Sequence, residues 1–343
     1  MPLTSISPKD QNQFSPEHSK MNTKLSYTLI LSLLLFSSSI QAQLKELNFK
    51  EAFVSPPKDL LNPMPAYRGW ADESHYIEYR VEGLQTKPYT VDVRSGEAVP
   101  SAPAQVNIAS VSIRNKDIFF KSAAGIEKQL TRDTLVEKNP TLSPDGTQVA
   151  FTRNNDLYSI DINTNTETRY TTDGSDVVYN GWASWVYFEE ILGRASRYKA
   201  FWWSPDSKKI AFMRFDDSKV PVFPIYNSKG QHGFLENTRY PKPGDKNPEV
   251  KTGIVTAGSK GIVWTDFDPK MDQYFGTPFW MADSKSLWMQ WMNRDQNNLI
   301  IYSVNPQSGS KSIIYEEKQN TWVDWFENMY FFKNGQGFIL KSD

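Results

Sequence analysis

Apolar and polar residues alternate with period two through most of the chain beyond residue 65, which predicts short β-strands with one buried face. Arg68 to Tyr79 reads as a turn and a strand, and Pro88 to Gly96 as a strand and a turn. The design returns at Leu142-Ser-Pro-Asp-Gly-Thr-Gln-Val-Ala-Phe151, at Trp203-Ser-Pro-Asp-Ser-Lys-Lys-Ile-Ala-Phe212 and at Trp280-Met-Ala-Asp-Ser-Lys-Ser-Leu-Trp-Met289. Phe332 to Leu340 begins another copy. Proline fixes φ in each turn and Asp or Gly accommodates the reversal. Aligned on the turn residue, the copies sit at Asp72, Asp145, Asp206, Asp283 and about Asn334. Repeats of roughly 50 to 75 residues with several strands apiece predict an all-β chain built as a partial β-propeller of four to five blades.

One stretch departs from the alternation. Between the strand-like ends of Asn180–Asp206, the residues Trp185, Val186, Phe188, Ile191 and Leu192 recur with helical spacing, so a short amphipathic helix is expected there. Glu189 and Glu190 stand side by side in it, about 100° apart on a helix, so they converge on one ligand only where a helix end faces a cavity. A Glu pair is more often a solvated face, or here an ion pair with Arg194 or Arg197. The Pro- and Gly-punctuated run from Pro221 to Lys251 reads as a second excursion from the strand pattern.

Trp185-Val-Tyr-x-Glu-Glu190, followed by Trp202-Trp-Ser-Pro-Asp206, resembles the double-glutamate motif of the dipeptidyl peptidase IV family in the prolyl oligopeptidase superfamily. Tyr240-Pro-Lys-Pro-Gly-Asp-Lys-Asn-Pro-Glu-Val-Lys251 is similar to a second segment of that family. The resemblance is strongest from about Asn139 to Lys251. It implies a secreted serine exopeptidase that releases N-terminal X-Pro or X-Ala dipeptides. Its propeller supplies a double-Glu clamp for the α-amino group of a peptide with a free N-terminus. By the same resemblance Glu189 and Glu190 bind that ammonium group. Tyr187 keeps a family tyrosine and joins the substrate-binding set, with a core or wall aromatic as its plainer reading. Arg114 is the weak counterpart of a substrate-binding arginine, with an ordinary surface arginine as its plainer reading. An ammonium has three donors, and two carboxylates accept them with charge assistance.

Composition narrows the chemistry. The 343 residues carry 38 basic and 39 acidic side chains and no basic run, which argues against nucleic acid as a partner. Without cysteine, disulfides and thiolate catalysis are excluded. His18, His75 and His232 lack ligand spacing, so neither a metal nor another cofactor is expected. Asp145 and Asp206 are read as turn formers, and Trp202, Trp203, Trp280 and Trp288 as core residues. Met21–Lys24, the apolar run Leu25–Phe36 and the small residues up to Ala42 read as a signal peptide over 21–42. Residues 1–20 then form a misassigned extension, and export to the periplasm, cell surface or medium is expected.

No glycine is followed two residues later by serine, and no histidine lies late in the chain. The Gly-x-Ser-x-Gly elbow that the resemblance implies is therefore expected outside these residues, in a C-terminal α/β-hydrolase domain. Residues 43–343 are read as an incomplete N-terminal propeller, with a homodimer admitted for the full-length form. Two alternatives remain open: a tripeptidyl peptidase, and a non-enzymatic secreted propeller that binds peptide or glycan.

Overall fold

The structure, a computed structural model, describes residues 48–54, 65–83, 85–101, 108–326, 329–332 and 337–340. The proposed extension, the signal peptide and the turn at Asn334 lie outside these residues.

The chain forms two compact units, divided between Ala104 and Gln105. The first contains an antiparallel meander of β1 (Ala66–Trp70), β2 (His75–Glu82), β3 (Gln85–Asp92) and β4 (Ala98–Pro100), hydrogen-bonded in that order.

In the second unit, β5 (Ser110–Arg114), β6 (Asp117–Lys121) and β7 (Glu127–Gln129) make a three-stranded sheet. A four-stranded meander follows, of β8 (Glu137–Leu142), β9 (Gln148–Arg153), β10 (Asp156–Asp161) and β11 (Glu167–Arg169). The next sheet holds β12 (Val178–Asn180), β13 (Phe201–Trp203), β14 (Lys209–Asp216), β17 (Glu249–Thr256) and β18 (Ile262–Trp264). Between β14 and β17 a separate hairpin stands out, β15 (Val222–Asn227) with β16 (Phe234–Arg239). Another sheet combines β19 (Gln273–Phe275), β20 (Phe279–Trp280), β21 (Leu287–Asn293), β22 (Asn298–Val304) and β23 (Lys311–Lys318). The hairpin of β24 (Met329–Phe331) and β25 (Phe338–Leu340) begins a further one.

Apolar cores lie between successive sheets. Ile118 of β6 packs with Val149 and Phe151 of β9 and with Tyr158 and Ile160 of β10. Leu157 of β10 meets Phe201, Ile210 and Phe212 of the following sheet. Met213 and Phe215 of β14 then pack with Phe275, Leu287 and Met289. Trp203 and Trp288 are buried in these cores, and Trp202 and Trp280 pack half-buried against the last.

The turns follow the sequence reading. Asp145 accepts hydrogen bonds from the Ser143 hydroxyl at 2.7 Å and from the Thr147 N–H at 3.0 Å, and Gly146 takes φ 73°. Asp206 does the same for Ser204 and Lys208. These turns also stitch neighbouring sheets together. The Asp145 N–H donates to the Ser207 hydroxyl, and the Asp206 N–H to the Ser284 hydroxyl, each at 3.0 Å. The indole N–H of Trp203 donates to the Thr141 carbonyl at 3.0 Å, and that of Trp280 to the Trp202 carbonyl at 3.1 Å.

One sheet has no counterpart among the five aligned turns. The strands β5–β7 fall between the copies at Asp72 and Asp145, and β5 turns into β6 through Asn115 and Lys116, both left-handed at φ 52° and 79°. A two-residue reversal of that kind needs no Pro-Asp signal.

Candidate functional site

Strands β12 and β13 are two parts of one interrupted strand. Val178–Asn180 pairs with Asp216–Arg214 and Phe201–Trp203 pairs with Phe212–Ile210, so both lie along β14. Residues 181–200 leave the sheet and return to it. The neck of this excursion is tied by the Gly181 N–H to the Met213 carbonyl at 2.9 Å, the Ala183 N–H to the Tyr198 carbonyl at 2.8 Å, and a bridge between Trp182 and Lys199. Gly181 turns out of the strand at φ 70°, and a Cβ there would meet Leu157, Phe201 and Thr152 at 3.2–3.3 Å.

The expected helix is present as one wide turn. The Phe188 N–H bonds to the Ser184 carbonyl at 3.0 Å, and the Leu192 N–H reaches the Tyr187 carbonyl, five residues back, at 2.7 Å. Such π-type turns occur mostly as single insertions. Val186, Phe188, Ile191 and Leu192 pack against the core, as their spacing predicts.

Glu189 and Glu190 face different surroundings. The Glu189 side chain is 14% exposed and is ion-paired with Arg194, whose own side chain is 76% exposed. Glu190 is exposed. This pairing with Arg194 was one of the alternatives; Arg197 forms no ion pair with either carboxylate. The carboxylate of Glu189 holds the Arg194 guanidinium above its usual range.

Tyr187 requires a correction as a substrate-contacting residue. It is fully buried, its ring packs edge-on against Phe215 at 4.7 Å, and its phenol oxygen accepts the Phe275 N–H at 3.2 Å. It fastens the Glu-bearing turn to the following sheet and offers no surface to a ligand. Arg114 pairs with Glu127 at 2.8 Å and lies over the Phe119 ring at 3.9 Å, so its guanidinium is engaged within its own three-stranded sheet.

Aromatic stacking shapes the excursion. Trp182 stacks on Tyr198 at 4.8 Å, Tyr198 on Phe188 at 3.8 Å, and the Lys138 ammonium caps the outer face of Trp182 at 4.0 Å. On the other side Trp185 meets Tyr240 edge-on at 4.6 Å. The two stretches that carry the family resemblance therefore touch. Trp185 and Tyr198 line a cavity of about 600 Å³ together with Tyr179, Asp217, Glu236 and Arg239 of the neighbouring strands and hairpin.

Asp217 is the residue that sequence reasoning missed. It is 1% exposed, accepts the Ser184 hydroxyl on Oδ2 at 2.9 Å, and has no hydrogen-bond partner for Oδ1 among the described residues. Burial pushes its carboxyl up to about 7, outweighing the Ser184 hydrogen bond and the attraction of Arg239. Burial and the nearby Asp217 together push the Tyr179 phenol up to about 12. Ser184 also supplies the first carbonyl of the Glu-bearing turn, so Asp217 holds the start of that turn in place. In sequence, Asp216-Asp217 is an ordinary polar pair at a strand end, without a signal of its burial.

The profile of the family described as "Dipeptidyl peptidase IV (DPP IV) N-terminal region" matches residues 101–343. The chain belongs to this family. Among relatives of the dipeptidyl peptidase IV N-terminal region, the "Dipeptidyl peptidase 4" of Trichophyton tonsurans is 31% identical over 206 residues, covering 57% of this chain and 26% of that protein. The "Inactive dipeptidyl peptidase 10" of Rattus norvegicus is 30% identical over 194 residues, covering 54% and 24%. The crystal structure of Porphyromonas gingivalis dipeptidyl peptidase 4 superposes with a TM-score of 0.60 at 25% identity, over 81% of this chain and 43% of that one. The chain thus spans about a quarter of the length of these curated relatives. Its all-β fold is that of a partial dipeptidyl peptidase IV N-terminal propeller.

Proposed function

We propose that this chain is the peptide-gripping part of an exported serine exopeptidase of the dipeptidyl peptidase IV type, and that Glu189 and Glu190 hold the free α-amino group of the substrate. The hydrolytic serine, with its Asp and His, belongs to a C-terminal α/β-hydrolase domain of the full-length protein, which releases X-Pro or X-Ala dipeptides. The distance from the grip to that serine sets the length of the product.

The observation that carries this reading is the asymmetry of the Glu189–Arg194 pair. Glu189 is largely covered while Arg194 is largely exposed. An exposed arginine is held weakly, because water and salt compete for it. A substrate ammonium can take its place on Glu189 and reach the open carboxylate of Glu190. The charged stretch Met21–Lys24 followed by the apolar Leu25–Phe36 supports export.

The test uses the full-length protein and a Gly-Pro-linked reporter. Glu190→Ala should raise KM by ten- to a hundredfold, the loss of one charge-assisted hydrogen bond of about 1.5–3 kcal/mol. The exposed Glu97→Ala serves as control, and an N-acetylated reporter should not be cleaved. Equal kinetics for the two variants refute the grip. Product length separates dipeptidyl from tripeptidyl release, and light scattering tests a homodimer.

The relative named as inactive favours a second reading, a secreted propeller that binds a peptide or glycan without cutting it. Tight binding of a free-amino peptide with no turnover by the full-length protein would support that reading.

A further inference from the structure

Three successive sheets interrupt their first strand, and the three interruptions meet at one cavity. In β8 the register shifts between Lys138 and Thr141. Residues 181–200 leave between β12 and β13, and β19 is separated from β20 at residues 276–278. Asn139, Thr141, Ser196, Arg197, Lys199 and Thr277 from these breaks line a cavity of about 480 Å³.

The electrostatics of this cavity are one-sided. Its lining contains two cations and no carboxylate among the described residues. The Lys199 ammonium is half-buried without a charged partner among the described residues, and burial pushes it below its ordinary value. Arg197 is held by its backbone, in the left-handed region at φ 50° with its carbonyl accepting the Asn139 amide at 2.9 Å. Arg197 is exposed, and its guanidinium forms no ion pair among the described residues, Glu189 being paired with Arg194. The Ser196 hydroxyl is buried with no hydrogen-bond partner among the described residues. A partly desolvated ammonium and an unused donor cost free energy until an acceptor reaches them.

We propose that this cavity is a carboxylate subsite, in which Arg197, Lys199 and Ser196 hold an acidic side chain of the same peptide whose amino end meets Glu189 and Glu190. The guanidinium fork suits the two oxygens of a carboxylate, and the ammonium adds a point charge beside it. The assignment of the amino end rests on the reading given above, whereas the carboxylate subsite stands on its own residues.

The experiment is a calorimetric titration of this chain with C-terminally amidated pentapeptides. Asp is moved through the first four positions, and each peptide is compared with its Asn counterpart. One Asp position should bind about tenfold more tightly than Asn, with a gain that shrinks as salt rises. In the double variant Arg197→Gln/Lys199→Gln that ratio should fall to about one. A ratio near one at every position in the parent chain, or a ratio that survives the double variant, overturns the proposal. An Asn peptide with a free C-terminal carboxyl tests the other source of the same group. A gain there that vanishes in the variant, with no gain from any Asp, overturns the side-chain assignment and gives the cavity to the peptide end. N-acetylation separates the two readings. If it abolishes binding while Asp gives no gain, the subsite fails alone; if it changes nothing while the Asp gain persists, the amino-end grip fails alone.

Discussion

Replacing Asp217 with Asn tests the link between a buried charge and the Glu-bearing turn. The native carboxyl titrates near 7 against an ordinary 3.8, because it is buried beside a single hydroxyl donor. The folded state therefore holds this proton more tightly than the unfolded chain does. Its stabilising contribution is complete below about pH 4, falls as pH rises toward 7, and is flat beyond. Each pH unit in that window is worth about 1.4 kcal/mol for one group. Between pH 5 and pH 8 the parent chain should lose about 3 kcal/mol through Asp217 alone. Asp217→Asn keeps an acceptor for Ser184 but cannot ionise. Denaturant melts at pH 5, 6, 7 and 8 should show the variant without that share of the decline. Its stability relative to the parent should improve by about 3 kcal/mol from pH 5 to pH 8. A constant difference between the two proteins across the range would refute the buried-charge argument, whatever the absolute cost of the amide.

Tyr187→Phe should cost about 1–3 kcal/mol in the same assay, because the buried Phe275 N–H loses its acceptor while the ring still fills its site. Gly181→Ala should cost about 2 kcal/mol, combining a left-handed φ of 70° with close contacts to Leu157, Phe201 and Thr152. A double-mutant cycle on Trp185 and Tyr240, each changed to Leu, should give a coupling of about 0.5–1.5 kcal/mol if their edge-on contact joins the excursion to the following segment. Additivity of the two changes would show that the two stretches fold independently.

The strands were legible where a Ser-Pro-Asp or Ala-Asp-Ser turn set their register, since alternation on either side then fixes which face is buried. The sheet β5–β7 was not, because Asn115 and Lys116 reverse the chain through backbone conformation with neither Pro nor Gly. The helical turn was legible from the spacing of Val186, Phe188, Ile191 and Leu192. The stack of Trp182, Tyr198 and Phe188 was not, because its members meet only after the chain reverses through left-handed Arg197 and Tyr198. Tyr187 shows the limit of motif transfer. The motif conveyed its place in the chain, and burial decided which way it points.

The serines that follow the turn aspartates carry a further consequence. Ser207 and Ser284 hold left-handed backbones at φ 61° and 58°, where glycine would sit without strain, and each spends its hydroxyl on the preceding sheet. Gly146 occupies the equivalent corner after β5–β7, a sheet with no matching aspartate whose amide would need an acceptor. The letter at this corner thus reports what stands next door. An engineer who swaps these serines for glycine to relax the backbone would be unbuttoning one sheet from another.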